Sequence, residues 1–132
     1  PEYGGNGTEI GRCADAKNPI QGFPAHWAPN DIEFYAGSQF PSPYSGGAFI
    51  AFHGSWNRSP APQGGYNIAF IPMSGDSVDG EWHVFAEGFG GTSPGPQSAT
   101  HRPVGLAVGP DGSLFVSDSR WGIIWKIVYR GG

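Results

Sequence analysis

The chain of 132 residues is short of charge: Asp, Glu, Lys and Arg make up 14% of it, and only seven residues are Lys or Arg. Seven scattered cations in a chain of formal net charge −4 form no basic stripe, which argues against a nucleic-acid partner, because phosphate binding needs one. Cysteine is scarcer still. Cys13 stands alone, so no internal disulfide forms, and a lone thiol neither identifies nor excludes an oxidising compartment; it reads as structural or incidental rather than nucleophilic. No apolar run approaches the ~18 residues of a membrane-spanning helix, and no charged-then-apolar segment opens the chain. HxxxH and CxxC spacings are missing, so the expected metal ligands are none.

Turn formers and aromatics are abundant instead. Glycine at 23 and proline at 13 exceed a quarter of the chain, a level that accompanies disorder when no apolar period is present. Here nine Phe, five Trp and five Tyr fall in short β-type runs between the Gly/Pro clusters, which points to an all-β domain with many turns. Residues 1–23 are polar and glycine-rich without period and read as an irregular arm lying on a neighbouring surface. Strands are expected over residues 31–35, 47–53 and 65–72, the last alternating with Tyr66, Ile68 and Phe70 on one face. Asp79-Gly80 marks a hairpin turn before a fourth run at 82–86. After a Gly/Ser/Thr/Pro loop at 88–100 the pattern restarts, with strands at 104–108, 113–117 and 122–129 and a turn at Pro110-Asp111-Gly112.

The two units, about 31–89 and an incomplete one about 101–130, align loosely, GGAFIAFHGS against DGSLFVSDSR and GYNIAFIP against GIIWKIVY. A repeat of four-stranded antiparallel units reads as a β-propeller, although the period exceeds the ~40–50 residues of common blade repeats. Residues 24–132 are accordingly expected to form about two blades of a propeller, which needs at least about four. The chain is therefore expected either to be the C-terminal piece of a longer polypeptide or to close a ring from several copies.

The candidate site lies at strand ends. HGSWNR (53–58) and HRPVGLAVGPDGSLFVSD (101–118) place two arginines and two histidines there. A guanidinium fork grips carboxylates in a bidentate way, so Arg58 and Arg102 beside Trp56, Asn57, His53 and His101 suit a flat, acidic ligand. Each has an ordinary reading too. Arg58 could stack on Trp56 at the surface, Arg102 could pair with Asp118 or Glu87, and His26 and His53 could be satisfied structural histidines. Gly54 would let backbone approach a ligand beside His53, while Asp118 and Arg120 are expected to pair with each other or with solvent.

These stretches, together with AHWAPNDIEFYAG, FPSPYSGGAFIAFHGSWNR, GYNIAFIP and IIWKIVY, resemble the C-terminal portion of the pyrroloquinoline-quinone-dependent sugar dehydrogenases. The likeness is to the L-sorbosone and pyranose dehydrogenase branch of the soluble glucose dehydrogenase superfamily, over about 24–129. It implies a six-bladed propeller and a periplasmic or secreted oxidoreductase acting on a sugar or sugar-derived alcohol or aldehyde. Pyrroloquinoline quinone is the implied cofactor, clamped by Arg58 and Arg102, with Asn57, Trp56, His53 and His101 beside it. The family's base histidine and calcium ligands are implied to lie outside this chain, and its electron acceptor is unspecified. One departure is visible: Thr100 stands where the glucose dehydrogenase branch carries a further arginine, with His101 the nearby group that could substitute. Two other readings stay open, a non-catalytic propeller-type carbohydrate-binding module and a structural subunit that assembles through open blade edges.

Overall fold

A computed structural model describes residues 11–131, so the first ten residues of the expected arm lie outside the described residues. A short 3-10 helix at Gly11–Asp15 is followed by nine strands. β1 (Pro29–Phe34), β2 (Ala48–Phe52), β3 (Asn67–Ile71) and β6 (His83–Ala86) form an antiparallel sheet in the order β1-β2-β3-β6. Between β3 and β6, β4 (Met73–Ser74) and β5 (Ser77–Val78) make a two-stranded hairpin. β7 (Pro103–Val108), β8 (Leu114–Asp118) and β9 (Ile124–Ile127) form a third, antiparallel sheet.

The central strands β2 and β3 are buried on both faces, which is why AFIAF, and IAFI after Asn67, read as apolar runs rather than half-polar alternations. Their register sets small against large: Ala51 faces Ile68, and Ile50 faces Ala69. One face, bearing Phe49, Ala51, Ile68 and Phe70, packs on Leu106, Leu114 and Val116 of the β7-β8-β9 sheet to make the main core. The opposite face, with Ile50, Phe52, Ala69 and Ile71, is covered by Phe23, Trp27 and Trp82 and by the β4-β5 hairpin through Met73 and Val78. Asp31 joins the two large sheets directly, its carboxylate accepting the Leu106 N–H at 2.7 Å.

The all-β expectation holds; the propeller expectation does not. The sheets are separate, of four, two and three strands, two of them packed over a shared core in the manner of a small sandwich, and no ring closes among the described residues. Period-2 alternation specifies strands and their neighbours, but it is blind to how one sheet is disposed against the next. The first turn after β3 also sits earlier than expected. Gly75, at φ 59, supplies the left-handed residue that reverses β4 into β5, whereas Asp79 only donates its N–H to the Pro72 carbonyl.

Tyr35 ties the start of the core to the far sheet. Its buried hydroxyl donates to the Gly112 carbonyl at 2.8 Å and accepts the Gln39 and Phe40 N–H groups at 3.0 and 2.9 Å. Tyr35→Phe keeps the ring and strands all three groups, so a loss of about 2–3 kcal/mol in urea-denaturation stability is expected. An unchanged midpoint would show that those groups find other partners.

Candidate functional site

Three strand ends converge. β2 runs into His53-Gly54-Ser55, β7 begins just after His101-Arg102, and β8 ends at Asp118, leading into Ser119, Arg120 and Trp121. They enclose a cleft of about 640 Å³ walled by Trp56, Trp121, Pro96 and Gln97, with His53, Arg102, Ser119 and Arg120 supplying its polar groups.

Arg102 is the centre of the site. Only 5% of it is exposed, and its guanidinium lies over the rings of Tyr66 and Trp56, 5.1 and 5.5 Å from their centroids. One amino group donates to the Gly95 and Pro96 carbonyls at 3.2 and 2.5 Å; the other reaches the His53 carbonyl at 3.3 Å and the His53 ring at 3.4 Å. No carboxylate pairs with it among the described residues. A buried cation held only by carbonyl dipoles and ring faces is electrostatically incomplete, and an anion entering the cleft completes it.

The other polar groups agree in sign. Arg102 can only donate, so His53 Nδ1 accepts from it and the ring proton sits on Nε2, where it donates to Ser119 Oγ at 2.9 Å. Ser119 Oγ thus accepts from the protein, and its own O–H is left to donate to a ligand. Burial, and then the Arg102 charge, push the His53 pKa below its ordinary value against an opposing pull from Asp118, which favours the neutral imidazole this arrangement needs. The cleft offers donors and positive charge, which is the chemistry of an acidic-ligand site.

Asp118 builds the frame. Almost fully buried, it accepts the backbone N–H groups of Arg102 and Arg120 at 2.9 and 2.8 Å and the His101 Nδ1–H at 2.6 Å. Burial pulls its pKa up, yet those donors outweigh it and hold the carboxyl below the usual range. The backbone around Tyr66 adds to the frame. Tyr66 adopts φ 59, a conformation rare for an aromatic residue, and its hydroxyl donates to the Ser55 carbonyl at 2.6 Å.

The structure brings together His53, Trp56 and Arg102 but not all the residues singled out from sequence. Arg58 does not line the cleft: its guanidinium donates to the Ala25 and Pro62 carbonyls at 3.1 and 2.6 Å, tying two loops. Asn57 and His26 are also absent from the lining. His101 points the other way, into a smaller cavity of about 390 Å³ beside Phe89 and Trp125, because neighbouring residues entering a strand face opposite sides. Arg120, expected to pair with Asp118 or with solvent, is exposed and meets Asp118 only through its N–H; its guanidinium lies 5.4 Å from the Trp121 ring centroid and faces the cleft. Ser119 was unforeseen, and the signal for it was the β8 end, SDSRWG, opposite the end of β2. Gly91-Thr92-Ser93-Pro94-Gly95 has the spacing of a hydrolase nucleophile turn, but it lies in an irregular loop and not between a strand and a helix.

Two groups of the site make stability depend on pH with one sign. His53 and Asp118 both titrate lower in the folded chain than unfolded, so the unfolded state binds protons first and stability falls as pH falls. The His53 contribution is intact above the ordinary value of 6.5 and is lost as pH drops from there to its lowered pKa; that of Asp118 begins to go below 3.8. Urea midpoints are expected to fall between pH 7 and 5, and His53→Asn is expected to flatten that part of the profile. A midpoint that rises on acidification would mean that His53 gains a proton more readily in the folded chain than in the unfolded one.

Comparison with known proteins identifies the family to which the chain belongs. The TrAA12-like family matches residues 6–130, nearly the whole chain, and the chain belongs to it. An uncharacterized protein of Borreliella burgdorferi is 35% identical over 112 residues, covering 84% of this chain and 28% of that protein. A pyrroloquinoline quinone-dependent pyranose dehydrogenase of Coprinopsis cinerea is 31% identical over 151 residues, covering 97% of this chain and 19% of that protein. The chain thus spans under a third of the length of these relatives. A calcium structure of the Trichoderma reesei Carbohydrate-Active Enzymes Family AA12 is 27% identical, covering 76% of this chain and 24% of that one at a TM-score of 0.47. Assignment to the C-terminal portion of a propeller in the L-sorbosone and pyranose dehydrogenase branch of the soluble glucose dehydrogenase superfamily is overturned by the TrAA12-like match; what the chain shares with the quinone-dependent enzyme is partial homology. That assignment rested on separate stretches between residues 24 and 129, whereas the family match runs over 6–130 as a whole.

Proposed function

We propose, from membership of the TrAA12-like family, that this chain supplies the acidic-ligand grip of an oxidoreductase acting on a pyranose or a related sugar alcohol or aldehyde, with pyrroloquinoline quinone as the ligand. The observation that carries the reading is Arg102, a buried arginine with no carboxylate partner among the described residues, facing an aromatic-walled cleft. An incoming carboxylate gives Arg102 its missing counter-charge, the Ser119 hydroxyl donates to a second acceptor, and Trp56 and Trp121 cover a flat ring and exclude water. When bound, the quinone supplies a two-electron acceptor for the oxidation of a sugar hydroxyl or aldehyde. Support for this ligand comes from the cleft's two cationic side chains and its hydrogen-bond donors, and from the 31% identity to a dehydrogenase that depends on it.

Calcium does not fit this chain in the same way. Among the described residues no three His, Cys, Asp or Glu side chains gather, so no step of the chemistry runs through a metal that they hold. The proton-accepting base is likewise assigned beyond the chain. No described helix is long and apolar enough to cross a membrane, and the reading puts the protein in the periplasm or outside the cell. Trp56 and Trp121 report on the cleft, so titration with pyrroloquinoline quinone is expected to quench their fluorescence saturably at one ligand per chain. Absence of a saturable change would sink the proposal.

A further inference from the structure

The cleft holds a second arginine whose role the grip by Arg102 does not explain. Arg120 stands at the mouth, and its surroundings fix it without neutralising it. Asp118 accepts its backbone N–H at 2.8 Å, and its guanidinium packs against Trp121, whose indole N–H is anchored on the Thr100 carbonyl at 2.7 Å. Among the described residues it forms no ion pair, although Asp118 is two positions away and accepts its N–H. That carboxylate is occupied by His101 and two backbone donors, so it screens Arg120 poorly and leaves it facing the cleft.

We propose that Arg120 takes a second acidic group of the ligand held by Arg102, so that the cleft selects planar aromatic acids with two or more carboxylates over mono-acids. The proposal rests on the reading of the cleft as an acidic-ligand site and adds the number of charges it requires. The charge of Arg102 and the guanidinium fork of Arg120 line one cleft together with the Ser119 hydroxyl and the Trp56 and Trp121 rings, and so match a flat ligand acidic at two points of its rim. An exposed arginine is weaker than a buried one, and stacking on Trp121 compensates by limiting the rotamers it must give up on binding.

The test compares quinoline-2-carboxylate, quinoline-2,4-dicarboxylate and pyrroloquinoline quinone by calorimetric titration of the protein and of Arg120→Gln. In the unaltered protein the di-acid is expected to bind about 10-fold more tightly than the mono-acid, and Arg120→Gln is expected to remove that preference with little change for the mono-acid. A preference that survives the substitution overturns the assignment of Arg120, as does equal weakening of both acids. If the di-acid preference depends on Arg120 but the quinone binds no better than the di-acid, the two-charge site stands and the quinone reading falls. Tight quinone binding indifferent to Arg120→Gln does the reverse, and binding of none of the three removes both.

Discussion

Arg102→Met is expected to weaken binding of pyrroloquinoline quinone by about 1.5–3 kcal/mol, a loss of roughly 10- to 100-fold, the range for a hydrogen bond to a charged group. The methionine keeps most of the buried volume between Tyr66 and Trp56 and removes the charge, so what is lost is the grip and not the packing. Stability should move much less than affinity. Three carbonyls, of His53, Gly95 and Pro96, lose a donor, but the chain also sheds a buried cation that has no carboxylate to balance it. Arg58→Met makes the contrast, since Arg58 ties the carbonyls of Ala25 and Pro62 outside the cleft. It is expected to lower the urea midpoint and leave quinone affinity unchanged. The pair is read by titration and by denaturation of the same samples, and an affinity insensitive to Arg102→Met removes the basis of the site.

Much of the local structure was legible in the residues. The alternation of Ile68 and Phe70 against Ala69 and Ile71 marked β3, although Tyr66, expected on the same face, precedes the strand at φ 59, and Asp111-Gly112 marked the turn between β7 and β8, because both signals are local. Period and turn chemistry say nothing about the angle between sheets. The register of β2 on β3 sets an alanine against an isoleucine at three pairs, while the packing of Leu106, Leu114 and Val116 on Phe49 and Phe70 is a contact across many residues of sequence. The propeller expectation failed at that link, between strands and their assembly. The β4-β5 hairpin escapes a reading by pattern for a simpler reason: two-residue strands carry no period.

The site was half legible for a related reason. His53, Trp56 and Arg102 sit next to strand ends and can be named from position alone. Arg58 has the same local credentials and is turned elsewhere, because the loop after Trp56 presents the Pro62 carbonyl to it and the segment before β1 presents that of Ala25. Arg120 lies two residues from Asp118, and proximity in sequence suggests a salt bridge. In the structure Asp118 is committed to backbone donors and His101, a hydrogen-bond inventory that sequence does not display.

Gly54→Ala is expected to cost about 2–6 kcal/mol, combining ~1–3 kcal/mol of backbone strain with ~1–3 kcal/mol of overpacking, and to weaken the site at the same time. Gly54 follows His53 at the end of β2 with φ 98, a region that L side chains rarely adopt. A Cβ there would lie 2.1 Å from atoms of the Tyr66 ring, so the ring must move. The close approach for which glycine is needed is thus to Tyr66 and not to a ligand. Tyr66 cannot yield freely, because its hydroxyl is fixed on the Ser55 carbonyl and its ring supports the Arg102 guanidinium at 5.1 Å. Displacing it also disturbs the turn that holds the His53 carbonyl against Arg102. A domain with a total stability of about 5–15 kcal/mol survives such a loss only in part, so quinone affinity should be compared at a temperature where the variant is still folded. There the expected outcome is a lower urea midpoint together with weaker binding, whereas Gly46→Ala, at φ 75 with open space around it, should show the strain alone and keep its affinity. Equal behaviour of the two variants would mean that Tyr66 has no part in positioning Arg102.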